Sequence, residues 1–82
     1  MTEKLLACAK GSWQEGIVRD LLRREEIGNP LAALRGKAKN YYLRYEESFC
    51  NLKERIENTG AKLEYIPGVR GGVPTSKYRL VR

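Results

Sequence analysis

The chain has 82 residues, of which 41% are hydrophobic, and a formal net charge of +6. A chain of this length is expected to form one small domain that buries about 60 to 65 per cent of its unfolded surface, so most large apolar side chains are needed for the core. Histidine is absent, which removes the commonest general base and the commonest metal ligand. We therefore expect no enzymatic activity, no metal, no cofactor and no small-molecule substrate.

The two cysteines and the short apolar runs suggest a cytoplasmic protein. Cys8 and Cys50 are too few for a disulfide scaffold, and both are predicted to be small, buried or half-buried thiols. The longest apolar run, residues 5–9, is too short for a membrane span or a signal peptide.

Glycines and capping residues predict three helices in the first part of the chain. The first covers residues 2–10 and stops at Gly11, and the second covers residues 12–26. Ser12 and Glu15 have the spacing of a capping box, and apolar residues follow at helical offsets. Asn29 and Pro30 predict the start of a short third helix over residues 30–35.

The fourth predicted helix, residues 37–58, has the most regular pattern in the chain. Its apolar stripe has spacings of four and three residues and consists of Ala38, Tyr42, Tyr45, Phe49, Leu52 and Ile56. Gly60 marks its end. A break near Leu43 to Glu46 is the alternative to one continuous helix.

Residues 61–82 predict a two-stranded antiparallel hairpin. Ala61, Leu63 and Tyr65 alternate with polar residues, and Tyr78 and Leu80 do the same. The nine-residue connection 67–75 is rich in glycine and proline, so we expect an irregular and functional loop. The fold class is therefore α+β.

The positive charge is concentrated in two segments. Residues 1–34 are neutral, residues 35–44 carry +4, residues 45–64 carry −2 and residues 65–82 carry +4. Two basic segments favour a directed polyanion-binding surface, and the alternative is an ordinary solvated face.

The order of elements resembles the winged helix-turn-helix DNA-binding family, in the compact form found in regulators of bacteria, phages and mobile elements. The resemblance spans nearly the whole chain and rests on the basic segment 35–39, the helix that closes at Gly60, and the glycine-rich segment 67–72. It implies three to four helices followed by a two-stranded wing. It also implies that the helix before the wing enters the major groove and that the wing tip, with Arg70, touches the neighbouring backbone or minor groove.

Ten residues are candidates for DNA contacts. Phosphate contacts are expected from basic side chains, namely Lys37, Lys39, Arg44, Arg70, Lys77 and Arg79. Groove contacts are expected from a polar stripe beside the apolar one, namely Ser48, Asn51 and Arg55, for which the alternative is a solvated helix face. Tyr41 lies off the apolar stripe and is a candidate for a phosphate contact. Six phosphate contacts predict that log K falls with log salt at a slope of about −5.

These residues predict a protein that binds double-stranded DNA without catalysis. We expect a small transcriptional or mobile-element regulator that acts as a homodimer or within a larger complex. Four glutamates of the long helix depart from the family pattern, since they repel phosphate: Glu46, Glu47, Glu54 and Glu57. They favour an alternative, a phage-type adaptor or inhibitor that binds a protein. A further alternative is RNA or single-strand binding by stacking on Tyr41, Tyr42 and Tyr45.

Overall fold

The computed structural model describes residues 2–34, 36–71 and 73–82, without the side chains of Ala33, Val69, Arg70, Val73 and Pro74. Within these ranges the chain has three α-helices and a three-stranded antiparallel sheet, which confirms the predicted α+β class. The helices are α1 (Thr2–Cys8), α2 (Ser12–Arg24) and α3 (Lys39–Asn58). The sheet has the strand order β1 (Glu26–Gly28), β5 (Lys77–Val81) and β2 (Lys62–Ile66).

The first two helices end earlier than predicted, the first because its next amide finds another partner and the second because its backbone becomes left-handed. At the end of α1, the Lys10 amide donates to the side chain of Gln14 at 2.8 Å instead of continuing the helix. At the end of α2, Glu25 takes a left-handed conformation with φ of 63° and donates its amide to the Leu21 carbonyl at 2.8 Å. The predicted ends at residues 10 and 26 were wrong for this reason.

The hairpin contains one strand more than predicted, because the segment after α2 pairs with it. Glu26–Gly28 lies antiparallel to β5, with Ile27 opposite Tyr78. Backbone hydrogen bonds from Leu80 to Glu25 and from Asn29 to Ser76, at 2.8 and 3.0 Å, extend this pairing at both ends. The prediction ended the second helix at Glu26 and assigned no strand to residues 27–28, because three residues are too few to show a strand pattern.

The predicted helix at residues 30–35 is a single 3₁₀ turn, Ala32–Leu34. The Asn29 side chain accepts the Leu31 amide at 3.0 Å, and the following hydrogen bonds join residues three apart, as in a 3₁₀ turn. Ala38 then has extended backbone (φ −54°, ψ 141°), so α3 begins at Lys39, two residues later than predicted. From there α3 runs unbroken to Asn58.

The connection between β2 and β5 is not wholly irregular, since it contains two short strands, β3 (Val69–Arg70) and β4 (Val73–Pro74). They pair antiparallel, and a hydrogen bond from the Thr75 amide to the Gly68 carbonyl (2.9 Å) closes their base. The hairpin therefore carries a small second ladder at its tip.

The core lies between the helices and one face of the sheet. It is formed mainly by Leu5, Val18, Leu21, Phe49, Leu52 and Ile56, together with Leu63, Tyr78 and Leu80 from the sheet. Trp13, Tyr42 and Tyr45 are half-buried against it. Two predictions were wrong: Cys50 and Ala38 are exposed, since Cys50 lies off the apolar stripe and Ala38 precedes the helix. No helix among the described residues is both long enough and apolar enough to cross a membrane.

Candidate nucleic-acid interface

The N-terminal end of α3 is basic and free of carboxylates. Lys37, Lys39 and Arg44 are exposed, and no carboxylate in the described part of the chain lies within 4.0 Å of their charged groups. The first turn of α3 contains no acidic residue, and Ala38 supplies no side-chain cap. Because first-turn amides and the helix dipole favour negative charge, this end of the molecule attracts anions.

Tyr41 lies beside this basic end, 44% exposed, with its ring 4.9 Å from that of Tyr45. Tyr45 in turn packs edge-on against Trp13 at 4.8 Å. Tyr41 raises the pKa of Tyr45, first by side-chain hydrogen bonding and then by charge repulsion. The Tyr45 hydroxyl therefore stays neutral at physiological pH. The exposed Tyr41 hydroxyl is a hydrogen-bond donor that can reach a phosphate oxygen.

A polar groove of about 350 Å³ lies between the α1–α2 turn and α3. We call it the basic groove, and it is lined by Lys10, Gln14, Arg44, Glu47, Ser48, Asn51 and Arg55. Residues 44, 48, 51 and 55 follow one another at helical spacings on one side of the α3 apolar stripe. The structure thus brings together Arg44 and the three predicted groove-contact residues.

The buried side chain of Gln14 holds the floor of the basic groove in place. Its amide nitrogen donates to the Ser48 hydroxyl (2.7 Å) and to the Ser48 carbonyl (2.9 Å), while its oxygen accepts from Arg55 (2.6 Å) and from the Lys10 amide (2.8 Å). Arg55 also donates to the carbonyl of Cys8 at 2.7 Å. Ser48 and Arg55 therefore bind α3 to the α1–α2 turn, a structural role that the sequence did not reveal.

The predicted capping box at the start of α2 is absent, because Ser12 is already inside the helix. Gly11 occupies the cap position, and it makes no side-chain cap hydrogen bond. The helix start is fixed instead by Gln14, which accepts the Lys10 amide as described above.

The predicted phosphate contacts of the hairpin are paired with carboxylates. Lys77 lies 2.9 Å from Glu26, and Arg79 lies 3.2 Å from Glu64. All four side chains are about half exposed on the outer face of the sheet. The side chain of Arg70 falls outside the described residues, so its predicted contact remains a prediction.

The other exposed side of α3 is acidic. Glu46, Glu54 and Glu57 lie there with the exposed thiol of Cys50, across the apolar stripe from the basic groove. We call this surface the acidic stripe. The helix thus presents one flank that attracts a polyanion and one that repels it.

A second groove, of about 660 Å³, lies between α1 and α2. Its lining includes Leu6, Gly16 and Leu22, and its arginines are paired with acids of α2, Arg19 with Glu15 at 2.9 Å and Arg23 with Asp20 at 2.6 Å. This groove offers no uncompensated charge. Among the described residues there is also no cluster of three or more side chains able to hold a metal ion.

Lys10 and Gln14 are the site residues that sequence reasoning missed. Gln14 stands three, four and seven residues before Ile17, Val18 and Leu21, so it lies on the buried stripe of α2. A polar side chain on a buried stripe needs hydrogen-bond partners. The position of Gln14 in the sequence therefore indicated that its side chain binds other groups inside the protein. Nothing in the sequence distinguishes Lys10 from other surface lysines.

A comparison with protein-family models found no family that matches the chain, and comparisons with curated proteins and with solved structures found no match either. Function is therefore inferred from the geometry and charge of the site itself.

Proposed function

We propose that this chain is a winged helix-turn-helix protein that binds double-stranded DNA without catalysis, as a small transcriptional or mobile-element regulator. In this proposal α3 is the helix that approaches the major groove, and the β3–β4 tip is the end of the wing. The observation that carries the proposal is the basic, carboxylate-free N-terminal end of α3, with Lys37, Lys39 and Arg44 exposed.

The strength of binding should come mainly from counterion release. Each phosphate neutralised by a lysine or arginine lowers the slope of log K against log salt by about 0.9. Lys37, Lys39 and Arg44 together therefore predict a slope of about −3. This value is smaller in magnitude than the sequence suggested, because two of the six expected cations have carboxylate partners and the side chain of a third, Arg70, lies outside the described residues.

Lys77 and Arg79 can still contribute after exchanging partners. Exposed ion pairs such as Lys77–Glu26 and Arg79–Glu64 contribute about 0 to 1 kcal/mol, so a phosphate can replace the carboxylate. The displaced glutamate remains nearby and reduces the gain. The hairpin is therefore assigned a secondary role in affinity.

Base contacts are assigned to Asn51. Its side chain is exposed on the basic groove, and no hydrogen bond to it is found among the described residues. An asparagine can donate to and accept from the edge of an adenine in the major groove. Ser48 and Arg55 are assigned to positioning, since both already bind Gln14.

The test is a titration with random-sequence duplex DNA from low to high salt. The Lys37→Ala/Lys39→Ala variant should reduce the magnitude of the salt slope by about 2. A matched control, Lys4→Ala/Lys62→Ala, removes the same charge from exposed positions on α1 and β2 and should leave the slope nearly unchanged. Absence of duplex binding at low salt would overturn the proposal.

The second candidate function is a protein-interaction module with the same fold. The observation that favours it is the acidic stripe, where Leu43 is 45% exposed on the same side of α3, together with Tyr65, which is 51% exposed on β2. The same titration separates the two candidates. Salt-sensitive binding in the micromolar range supports DNA binding, whereas no binding at low salt favours a protein partner.

A further inference from the structure

We propose that the basic groove is a binding site for a single phosphate group, and that the phosphate is part of the backbone of the bound duplex. The inference deepens the proposed function and rests on it for the source of the phosphate. It assigns the phosphate to Lys10, Arg44 and the remaining N–H groups of Arg55, beside the base contact assigned to Asn51, and a positioning role to Gln14.

The charge of the groove suits an anion. Three of its lining residues, Lys10, Arg44 and Arg55, are cationic, and only Glu47 is anionic. No carboxylate among the described residues lies within 4.0 Å of the three cationic groups. The groove therefore has an uncompensated positive charge, in contrast to the paired arginines of α2.

One donor of the groove, Arg55, is held in place before any ligand binds. Arg55 uses its Nε–H for the carbonyl of Cys8 and one Nη group for Gln14, which fixes the guanidinium plane. A guanidinium has five N–H groups, so others remain free to donate to an anion. Because the side chain is already ordered, binding costs little additional side-chain entropy.

The groove is open to solvent and large enough for a backbone phosphate. All seven lining residues are polar or charged, and the volume of about 350 Å³ leaves room for sugars on either side of a phosphate. A phosphodiester enters as part of a continuous strand, so it needs an open groove and not a closed pocket. Asn51 adds a neutral donor at the same surface.

Glu47 provides a test in the opposite direction. Its carboxylate lies on the groove and repels an anion, so removing its charge should strengthen binding. A groove with a purely structural role would not respond in this way.

The experiment measures duplex affinity at 0.1 M salt for two pairs of variants. Lys10→Ala should weaken binding about five- to tenfold, the loss of one phosphate contact, while the control Lys4→Ala should change it by less than about twofold. Glu47→Gln should strengthen binding by about threefold, and clearly more than the control Glu54→Gln on the acidic stripe. Each variant is checked for an unchanged circular dichroism spectrum.

Three outcomes decide the inference. Opposite responses of Lys10→Ala and Glu47→Gln, each beyond its control, support it. If the duplex binds and Lys37→Ala/Lys39→Ala weakens it, but Lys10→Ala and Glu47→Gln match their controls, the groove proposal fails while DNA binding stands. If the duplex does not bind at all, inorganic phosphate is titrated with detection by NMR. Shifts at residues 10, 44 and 51 that Lys10→Ala removes then support a site for a free phosphate, and no shifts overturn it.

Discussion

Gln14 shows how one buried amide can join three segments of a small protein. It is 4% exposed, and its side chain bonds the α1–α2 turn, Ser48 and Arg55. Its truncation removes the partner of the Ser48 hydroxyl and of one Arg55 Nη group in a partly buried place, while the Arg55 Nε–H keeps the Cys8 carbonyl. Leaving buried polar groups unsatisfied costs about 1 to 3 kcal/mol each.

We predict that Gln14→Ala lowers the free energy of unfolding by about 2 to 3 kcal/mol, measured by urea denaturation. The neighbouring substitution Glu15→Ala removes only the exposed ion pair with Arg19, so its effect should stay below about 0.5 kcal/mol. Equal losses in the two variants would show that the Gln14 network does not stabilise the fold.

The buried Tyr78 makes the free energy of unfolding depend on pH in the alkaline range. Burial of its ring beneath Phe49, and secondly the neighbouring Tyr65, raise the pKa of Tyr78 above its ordinary value of 10.0. The unfolded chain therefore loses this proton at lower pH than the folded chain. The contribution of Tyr78 to the free energy of unfolding is complete below pH 10. It declines as the pH rises from there through the pKa that Tyr78 has in the folded protein.

Between pH 9 and pH 11.5, we expect the urea midpoint of Tyr78→Phe to fall less steeply with pH than that of the unsubstituted protein. Phenylalanine keeps the aromatic ring and has no proton to lose. Tyr65→Phe should weaken the decline as well, but less, because it removes only the second cause of the raised pKa of Tyr78 and leaves its burial in place. A decline as steep in Tyr78→Phe as in the unsubstituted protein would refute the assignment.

At the scale of elements, two glycines show how helix interior and helix end differ. Gly16 lies inside α2 and Gly60 follows α3 with φ of +96°, yet an added Cβ would meet no atom within 4 Å at either position. The two glycine positions therefore differ in backbone conformation and not in the space available for a methyl group. Alanine suits a helix interior, whereas it is strained in the left-handed region.

Gly16→Ala should raise the free energy of unfolding by about 0.5 to 1 kcal/mol, and Gly60→Ala should lower it by about 1 to 2 kcal/mol. Thermal unfolding of the two variants measures both effects with the same added methyl group. Changes of the same sign would contradict the conformational account.

The long helix and the paired strands were predictable, because each carries a long periodic pattern. The stripe from Tyr42 to Ile56 defined α3 almost to its ends, and alternation defined β2 and β5. Strand β1 was not predictable, since its three residues are determined by pairing with a segment 50 residues later in the chain. Local patterns carry no information about such a partner.

The candidate site was predictable only in part, and for a similar reason. The spacing of Ser48, Asn51 and Arg55 placed these three on one flank of a helix, and the structure adds Arg44 to them. The hydrogen bonds of Arg55 and the ion pairs of Lys77 and Arg79 depend on residues distant in sequence. The sequence therefore overestimated how much of the positive charge is free of carboxylate partners.

At the scale of the whole molecule, the proposed function depends on the division of α3 into a basic flank and an acidic flank. A rod-like polyanion can approach the N-terminal end and the basic groove, while the acidic stripe disfavours contact on the other side. The net charge of +6 alone would predict attraction from any direction. The proposed function differs from nonspecific adsorption because DNA is expected to approach the molecule from the basic side of α3 only.

The most direct measurement is a chemical-shift map of the protein's backbone amides during titration with a random-sequence duplex. We predict that the largest changes fall at residues 37–44, at Lys10 and at Asn51, and that the amides of Glu54 and Glu57 change little. Changes centred on the acidic stripe, or no changes at low salt, would contradict the account.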